Sequence, residues 1–236
     1  MEYIHGERVT LRYDEMSPLD RMIDSYGRQA EKYFCDLNSS ENAPLDVREK
    51  RKKDLELARL HLEQERRFAE VIADVQAGLE IYRQAGREAT QGTASMVAMK
   101  QKELISEKHH STQILEMHMR AVPIPKPSAK HTAHHIAPGS GRTRDAYRAR
   151  LRIHRFGVRV NDPDNGVWLP TYSKHTPHWS MPDAKGHLQY HTEGYESWIL
   201  RKLQAKSSEV LIRQELRLIG QALQENNIPP EARCKK

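Results

Sequence analysis

Cysteine, phenylalanine and tryptophan are scarce in this 236-residue chain, and each shortage excludes a class of protein. The two cysteines, Cys35 and Cys234, stand far apart and form no C-x-x-C motif. Neither a disulfide framework nor a thiolate zinc site is therefore expected, and a reducing compartment suits such a chain. Three Phe and three Trp against 30% charged residues favour a soluble protein rich in solvent-facing helix over the β-sandwich and membrane classes.

Long apolar runs are also missing. No stretch of the sequence is long and apolar enough to cross a bilayer, so a membrane partner is not expected. The N-terminal residues, Met1 to Arg8, lack the basic and then apolar pattern of a signal peptide. Export by the general secretory route is therefore not expected either.

Charge is distributed unevenly along the chain. Residues 1–125 contain 19 Lys and Arg against 22 Asp and Glu, a net charge of −3, whereas residues 126–236 contain 19 against 10, a net charge of +9. Eight of the thirteen histidines also fall in the second part. A basic part suggests a polyanionic partner such as nucleic acid, although it can also be an ordinary solvated surface.

Helical periodicity dominates the first part of the chain. Ser17-Pro18 predicts the start of a helix, and a second helical pattern with a narrow apolar stripe runs from about 44 to 84. The pattern from about 94 to 119 is interpreted as the return arm of a hairpin. We therefore predict an N-terminal α-helical hairpin or coiled-coil domain over 1–122. It is either a self-contained coiled coil or a docking and delivery module for a partner.

Three prolines within residues 123–129 predict an extended linker. Beyond it, short segments alternate with Gly- and Pro-rich turns, which is typical of an α+β domain and sets its bounds at 130–236. Val158 to Val160 and Val167 to Leu169 are the strand candidates on either side of a turn rich in Asp and Asn.

A row of arginines marks the first helix of this second domain. Thr143 is placed to cap a helix from about Arg144 to Arg155, and Gly157 is placed to end it. Arg144, Arg148 and Arg152 share one face of that helix. The row could hold phosphates, or it could simply be the solvated face of the helix.

Histidines supply the candidate site. His134 and His135 are adjacent on a predicted strand end, and a helix predicted from about 185 to 205 would place His187, His191 and Tyr195 on one face. Together these imidazoles could hold a divalent cation and leave one ring to act as a base. An isolated pair of histidines has a simpler interpretation, as surface residues or as hydrogen-bonded core residues.

Two further histidines, His175 and His178, lie just upstream of His187. Either of them could reach the site or bind substrate, and the sequence assigns them no definite role. Among the predicted metal ligands, they make His187 less secure than His191.

The motifs taken together are more specific than each alone. Ala133-His134-His135-Ile136-Ala137-Pro138, the arginine-rich helix, Asn165 to Pro170, and His187-x-x-x-His191 resemble, in order and spacing, the AHH nucleases of the HNH/endonuclease VII superfamily. The similarity covers roughly residues 130–203. It implies a small ββα-metal nuclease domain, HNH or treble-clef-like, with flanking helices, in which two strands and a helix surround one divalent ion.

The resemblance also implies roles for individual residues. His134, His187 and His191 are the implied metal ligands, His135 the residue that activates water, and Asn165 the residue that ties strand to loop so that His135 is aimed correctly. Adjacent residues on a strand point to opposite sides, so separate tasks for His134 and His135 agree with this assignment. Three imidazoles suit Zn, Ni, Mn or Co better than Mg, which prefers oxygen ligands.

The function implied is that of a metal-dependent endonuclease with little sequence specificity, acting on DNA in preference to RNA, with Arg144, Arg148 and Arg152 on the phosphate backbone. The alternative is a non-catalytic nucleic-acid-binding protein with a structural zinc site. The lack of cysteine near the motif argues against that alternative, because structural zinc sites usually use cysteine.

AHH modules are commonly the C-terminal warheads of bacterial polymorphic toxins, including type VI secretion effectors. The resemblance therefore implies an antibacterial toxin that is made in the bacterial cytoplasm, secreted by a specialised system, and active in the cytoplasm of a target cell. An immunity protein would neutralise it. The N-terminal helices would bind an adaptor, a chaperone or a component of the secretion system.

Overall fold

The structure, a computed structural model, describes residues 2–4, 7–9, 16–41, 43–107, 112–122 and 124–234. The chain divides into two compact units, residues 1–75 and 76–236. Among the described residues, no helix combines the length and the apolar character that crossing a membrane requires. The helices are α1 (Pro18–Glu41), α2 (Leu45–Glu88), α3 (Ala94–Ser106), α4 (Gln113–Ala121), α5 (Arg144–Arg155), α6 (Glu193–Gln204) and α7 (Glu209–Gln224), and the strands are β1 (Glu2–Ile4), β2 (Glu7–Val9), β3 (His131–His135) and β4 (Gly166–Pro170).

The first unit contains the antiparallel pair β1 and β2, the helix α1 and the first part of α2. The predicted start of α1 is confirmed, because the Ser17 hydroxyl accepts the Asp20 N–H and the Asp20 carboxylate accepts the Ser17 N–H. Residues of α1 and of α2 up to Leu62 line a shared groove of about 510 Å³. These two helices therefore form the hairpin of the first unit.

The return arm predicted over 94–119 is not a continuous helix. It forms α3 and α4, which pack on the second unit through α5 and β3 respectively; residues 108–111 of the arm lie outside the described residues. The physical reason is burial, because Leu115 and Met119 of α4 are completely buried against Ala133 and Trp168. Apolar residues that could have faced a coiled-coil partner instead cover the sheet.

The division between the two units falls within α2, between residues 75 and 76. Residues 124–129 of the predicted linker belong to the second unit, and Pro123 lies outside the described residues. Ile124 explains why the segment is held there: it packs on the cluster around Trp168, and its carbonyl accepts the indole N–H at 3.0 Å.

The second unit is of the α+β class, as predicted. β3 and β4 pair antiparallel with His134 opposite Val167 and His135 opposite Gly166. α5 packs on α6, and α7 packs on β4, so that helices cover the small sheet. The completely buried side chains of this core include Ile136, Ile153, Leu169, Ile199, Leu203, Ile212 and Leu216.

Local signals fix the ends of helices in this core, and those of α5 are as predicted. The Thr143 hydroxyl accepts the Ala146 N–H at the start of α5, and Gly157, with φ +76°, follows its end. The Ser208 hydroxyl accepts the Leu211 N–H at the start of α7. Each of these hydrogen bonds joins residues three positions apart, which explains why the sequence alone can predict such caps.

The strand predicted at Val158 to Val160 is not formed. This segment is part of the turn that leads to Pro163–Asn165, a short 3-10 helix. Buried carboxylates and arginines from two helices hold the turn instead of a sheet partner. Its ion pairs join Asp162 and Asp164 to Arg83 of α2 and to Arg213 and Arg217 of α7.

Candidate active site and metal centre

β3 brings the two adjacent histidines to the site. Both rings are buried, each with 6% of its surface exposed. The rings have different neighbours, as expected for consecutive residues on a strand. His134 faces His187, His191 and Tyr190, whereas Nε2 of His135 lies 2.9 Å from Oδ1 of Asn161.

His187 and His191 lie beside His134, but they are not on the helix predicted for them. The single helix predicted from about 185 to 205 is wrong in its first part: His187–Tyr190 is a short 3-10 helix, and α6 begins only after Thr192. The Thr192 residue is in the extended conformation and its hydroxyl caps α6 by accepting the Tyr195 N–H. This cap interrupts the helix between the two histidines and Tyr195.

The three predicted metal ligands surround one cavity. The ring centroid of His134 lies 5.4 Å from that of His191 and 6.4 Å from that of His187, and the latter two are 5.6 Å apart. The cavity has a volume of about 130 Å³, and His135 is also in its wall. The fold thus gathers all four histidines of the predicted site.

The protonation states of two of these rings suit metal binding. Burial lowers the pKa of His134 well below its ordinary value, and the charges of His191, His187 and His135 lower it further. Burial also lowers the pKa of His187, although the carbonyl of Thr171 opposes the shift. Both rings are therefore neutral near pH 7, the form in which imidazole binds metal ions.

The surroundings of His187 and His134 indicate which nitrogen of each of these two rings can bind a cation. Nδ1 of His187 lies 2.8 Å from the Thr171 carbonyl oxygen, to which it donates, so Nε2 carries the lone pair. Nε2 of His134 is buried without a hydrogen-bond partner among the described residues. An unpartnered buried nitrogen is costly unless something binds it, and a cation in the cavity would do so.

The spacing of the rings is close to that of a metal site without matching one. Two imidazoles that bind one zinc ion at about 2.1 Å and at a tetrahedral angle have centroids about 5 Å apart. Two of the observed separations approach that value, and the third exceeds it by about 1 Å. Accordingly, among the described residues no set of three His, Cys, Asp or Glu side chains already meets the spacing of a metal site. The donor chemistry of the three imidazoles nevertheless fits a cation such as zinc.

Asn165 ties three segments of backbone together next to this cavity. Its Oδ1 accepts the Ala137 N–H at 2.8 Å, and its Nδ2 donates to the carbonyls of Ala137 and Val160. Its own carbonyl accepts the Ile136 N–H at 2.9 Å. The residue thus fixes the chain that leaves β3 directly after His135.

The predicted arginine row divides into two environments. Arg144 and Arg148 are exposed, whereas the guanidinium of Arg152 donates to the carbonyls of Leu203, Gln204 and Lys206 at the end of α6. Arg152 therefore caps a helix end, where a cation complements the helix dipole. That position leaves Arg144 and Arg148 as the members of the row that face solvent.

Sequence reasoning did not single out several residues of the cavity. Arg142, in the turn before α5, lines its wall together with Tyr190 and Glu196. Asn161, which contacts His135, was also overlooked. The only local signal for Arg142 is its position just before the cap at Thr143, and Asn161 has none, because its partners come from distant parts of the chain.

His175 and His178 do not join the triangle of His134, His187 and His191. The His178 ring lies edge-on to His131, with ring centroids 4.5 Å apart, and His175 contacts Tyr172. Nδ1 of His131 is 2.9 Å from the Ser128 hydroxyl, and burial lowers the pKa of His131. The rings of His131, His175 and His178 thus form a cluster at the first residue of β3, separate from that triangle.

Comparison with known protein families gives a match that covers the cavity. Residues 115–224 match the family model AHH, described as a nuclease family of the HNH/ENDO VII superfamily with conserved AHH. This segment is therefore similar to the AHH nucleases. Ala133, His134 and His135 supply the AHH motif from which the family takes its name. No curated protein and no solved structure matches the chain.

The AHH-family segment begins within α4 and ends with α7, so it contains the sheet, the four site histidines and Asn165. The family that this segment matches consists of nucleases, and its superfamily generally uses a divalent metal ion. The helices α1, α2 and α3 precede the segment. Whether these helices contribute to the site therefore depends on their contacts with it.

Proposed function

We propose that this chain is a metal-dependent endonuclease that hydrolyses phosphodiester bonds of nucleic acid, DNA in preference to RNA, with little sequence specificity. The observation that carries the proposal is the convergence of His134, His187 and His191 on one cavity whose wall also contains His135. The AHH family of the surrounding segment supports it. Within this proposal, β3 and β4, the turn that ends at Asn165 and the segment that carries His187 and His191 form a ββα-metal site.

The proposed metal ligands are His134, His187 and His191. The lone pair of His187 is directed by the Thr171 carbonyl, and that of His134 is buried without a partner. When bound, the ion would stabilise negative charge on the phosphate and on the leaving 3′ oxygen. An all-imidazole set favours Zn, Ni, Mn or Co over Mg, although Mg remains a candidate to be tested.

His135 is the proposed base. It removes a proton from a water molecule, the water oxygen forms a bond to phosphorus, and the bond between phosphorus and the 3′ oxygen breaks. The leaving oxygen takes a proton from solvent, which gives a 5′ phosphate and a 3′ hydroxyl. Asn165 contributes by fixing the backbone at Ile136 and Ala137, so that the His135 ring keeps its direction.

Arginines on the approach to the cavity are proposed to hold the substrate backbone. Arg142 lines the cavity, and Arg144 and Arg148 are exposed on the helix that follows it. Contacts of guanidinium groups with phosphates carry no base information, so binding would be sensitive to salt and indifferent to sequence. Arg152 is not included, because it is already hydrogen-bonded to the end of α6.

Plasmid cleavage with purified protein tests the reaction. We expect nicking and linearisation with added Mn, Ni, Zn or Mg and none with a chelator. His135→Ala should lose cleavage by about 10²-fold or more while it still binds metal, because it removes only the base. His191→Ala should weaken metal binding itself, measured by calorimetry.

His61→Ala, an exposed histidine of the first unit, is the matched control and should behave as wild type. Equal loss of metal in His135→Ala and His191→Ala would contradict the division into base and ligand. If the plasmid stays intact but is retarded on a gel, the chain is a nucleic-acid-binding protein with a structural metal site, and the nuclease proposal fails.

We further propose that the nuclease acts as a bacterial toxin. In this role it is made in the bacterial cytoplasm, delivered by a specialised secretion system such as type VI, and neutralised by an immunity protein. The support is the resemblance to AHH toxin modules described above, and the helices before the AHH segment would bind an adaptor, a chaperone or the secretion system. Expression in a bacterium tests it: wild type should arrest growth and fragment the chromosome, whereas His135→Ala should do neither.

A further inference from the structure

A buried chain of hydrogen bonds runs from His135 away from the cavity. Its first link joins Nε2 of His135 to Oδ1 of Asn161 at 2.9 Å. Asn161 has 1% of its surface exposed. The next links lead to Tyr82 of α2 and to Glu107 at the end of α3, two residues that precede the AHH-family segment.

Asn161 is held on four sides. Its Nδ2 donates to Oε1 of Glu107 at 3.3 Å, and its backbone N–H donates to the Tyr82 hydroxyl at 3.0 Å. Its carbonyl lies 2.8 Å from Nδ1 of His118, which donates to it. The fourth contact is the one with His135, so neither the backbone nor the amide of Asn161 can turn without losing a hydrogen bond.

Glu107 is fixed in turn by two neighbours. Its Oε1 also accepts the Tyr82 hydroxyl at 2.8 Å, and its Oε2 accepts Nε and Nη2 of Arg159 at 3.1 and 2.9 Å. The Arg159 guanidinium lies 3.8 Å over the centre of the Tyr82 ring. The carboxylate is therefore paired on both oxygens, as a partly buried charge must be.

Tyr82 keeps its proton at every physiological pH. Burial raises its pKa above the ordinary value near 10, and the charge of Glu107 raises it further. The hydroxyl can therefore donate to Glu107 and accept from the Asn161 backbone at the same time. Each member of the network thus has one defined role as donor or acceptor.

This ordering determines how the Asn161 amide faces His135. Because Glu107 accepts only, the amide must turn its NH₂ group toward Glu107 and its oxygen toward His135. His135 then carries its proton on Nε2, and the lone pair of the neutral ring is on Nδ1. If the amide were reversed, its NH₂ group would donate to Nε2 of His135. The ring would then carry its proton on Nδ1, so that Nδ1 could no longer act as the base.

We propose that Tyr82 and Glu107 are positioning residues for the nuclease reaction: through Asn161 they fix the orientation and the Nε2–H tautomer of His135. The inference rests on the proposed role of His135 as the base. It gives the helices ahead of the AHH segment a part in the active site, because α2 supplies Tyr82 and α3 ends at the residue before Glu107. The nuclease site is therefore larger than the family segment.

Glu107→Gln is the most informative variant. A glutamine has one acceptor oxygen, so it cannot satisfy both Arg159 and the pair formed by Tyr82 and Asn161, and it can present an NH₂ group to the Asn161 amide. We expect kcat of plasmid cleavage to fall about 10- to 100-fold, as for other partners that orient an imidazole. KM and metal affinity should stay within about twofold, because the histidine triangle and the arginines are unchanged.

A spectroscopic readout tests the network without any need for activity. In the full chain with ¹⁵N-labelled histidine, the His135 signals are assigned by their loss in His135→Gln. Wild type should show a protonated Nε2 and an unprotonated Nδ1, and Glu107→Gln should show a mixture of tautomers. Tyr82→Phe, which removes a single oxygen, should shift the tautomer in the same direction. It replaces Glu107→Gln as the test variant if Glu107→Gln does not fold.

Matched controls are available on the surface. Glu103→Gln on α3 and Tyr147→Phe on α5 change the same residue types at exposed positions and should leave both readouts at wild-type values. An unchanged tautomer and unchanged kcat in Glu107→Gln and Tyr82→Phe would overturn the inference. If the wild-type protein does not cleave nucleic acid but Glu107→Gln still shifts the tautomer of His135, the network exists and the proposed function is wrong.

Discussion

At the scale of the residue, burial sets the chemistry of the histidines. His134 is kept neutral by burial and by neighbouring imidazoles, and the hydrogen bond of His187 to Thr171 selects the nitrogen that can bind a cation. His135, one position along the strand, contacts an amide oxygen instead. Two adjacent residues of one type therefore have different partners, because the strand turns them toward different surroundings.

His154 shows the same effect where no chemistry is proposed. It is completely buried on α5, and neither ring nitrogen has a hydrogen-bond partner among the described residues. Burial, with the charges of Arg150 and Arg159, lowers its pKa from 6.5 to about 3. The unfolded chain therefore binds a proton below pH 6.5 that the folded chain refuses, so the free energy of unfolding falls as the pH falls toward 3.

We predict that His154→Leu removes this acid sensitivity. Replacing an unpartnered buried ring by an apolar side chain should be neutral or stabilising at pH 7. At pH 5 the variant should gain about 2 kcal/mol relative to wild type, since each pH unit below 6.5 is worth about 1.4 kcal/mol. Urea unfolding at pH 7 and pH 5 measures the difference in unfolding free energy between the variant and wild type. The exposed His61→Leu is the control. An equal difference at the two pH values would refute the explanation.

At the scale of the element, the end of α2 is placed by a close backbone approach. A Cβ atom at Gly86 would lie 2.3 Å from the carbonyl oxygen of Gly157, in the turn after α5. Gly157 itself has φ +76°, a conformation that disfavours other residues. This contact sets the position of Tyr82 and Arg83, one turn earlier on α2, and with them the network behind His135.

Gly86→Ala should therefore disturb both stability and cleavage. The methyl group meets backbone that cannot rotate away, so we expect a loss of about 1 to 3 kcal/mol in unfolding free energy and a lower kcat through displacement of Tyr82. Gly78→Ala on the same helix is the matched control, because its Cβ would meet nothing within 4 Å. That change should raise the melting temperature slightly, since Ala favours helix over Gly by up to about 1 kcal/mol.

At the scale of the whole molecule, the second compact unit, residues 76–236, is larger than the AHH-family segment. Leu115 and Met119 of α4 cover Ala133 and Trp168 of the sheet. Tyr82 and Arg83 of α2 reach Asn161 and the buried Asp162. The elements that precede the sheet thus complete its core and its ion pairs.

Two shortened chains test this organisation. A chain of residues 123–236, the predicted linker together with the predicted domain 130–236, exposes Ala133 and Trp168 and should be unstable, because each lost buried Leu or Met costs about 2 to 5 kcal/mol. A chain of residues 76–236 keeps these contacts and should retain the cleavage activity of the full chain. Circular dichroism, thermal unfolding and plasmid cleavage compare them, and full activity of a stable 123–236 chain would contradict the larger unit.

The sequence by itself determined the features that depend on neighbours in the chain. The caps at Ser17 and Thr143, the glycine stop at 157 and the order of the AHH motif can be predicted because they join residues a few positions apart. The α+β class of the second unit follows from the same short-range signals. The histidines of the site could be named in advance for this reason, although the arrangement that holds them could not.

Only the tertiary structure decided which distant groups meet. His187 and His191 lie on a 3-10 turn and its end rather than on one helix face, and Arg152 caps α6 instead of facing solvent. Tyr82 and Glu107 reach Asn161 across 79 and 54 residues of chain. No periodicity or short motif encodes such contacts, because they form only when separate helices bury their apolar faces on the same sheet and bring their polar groups together out of water.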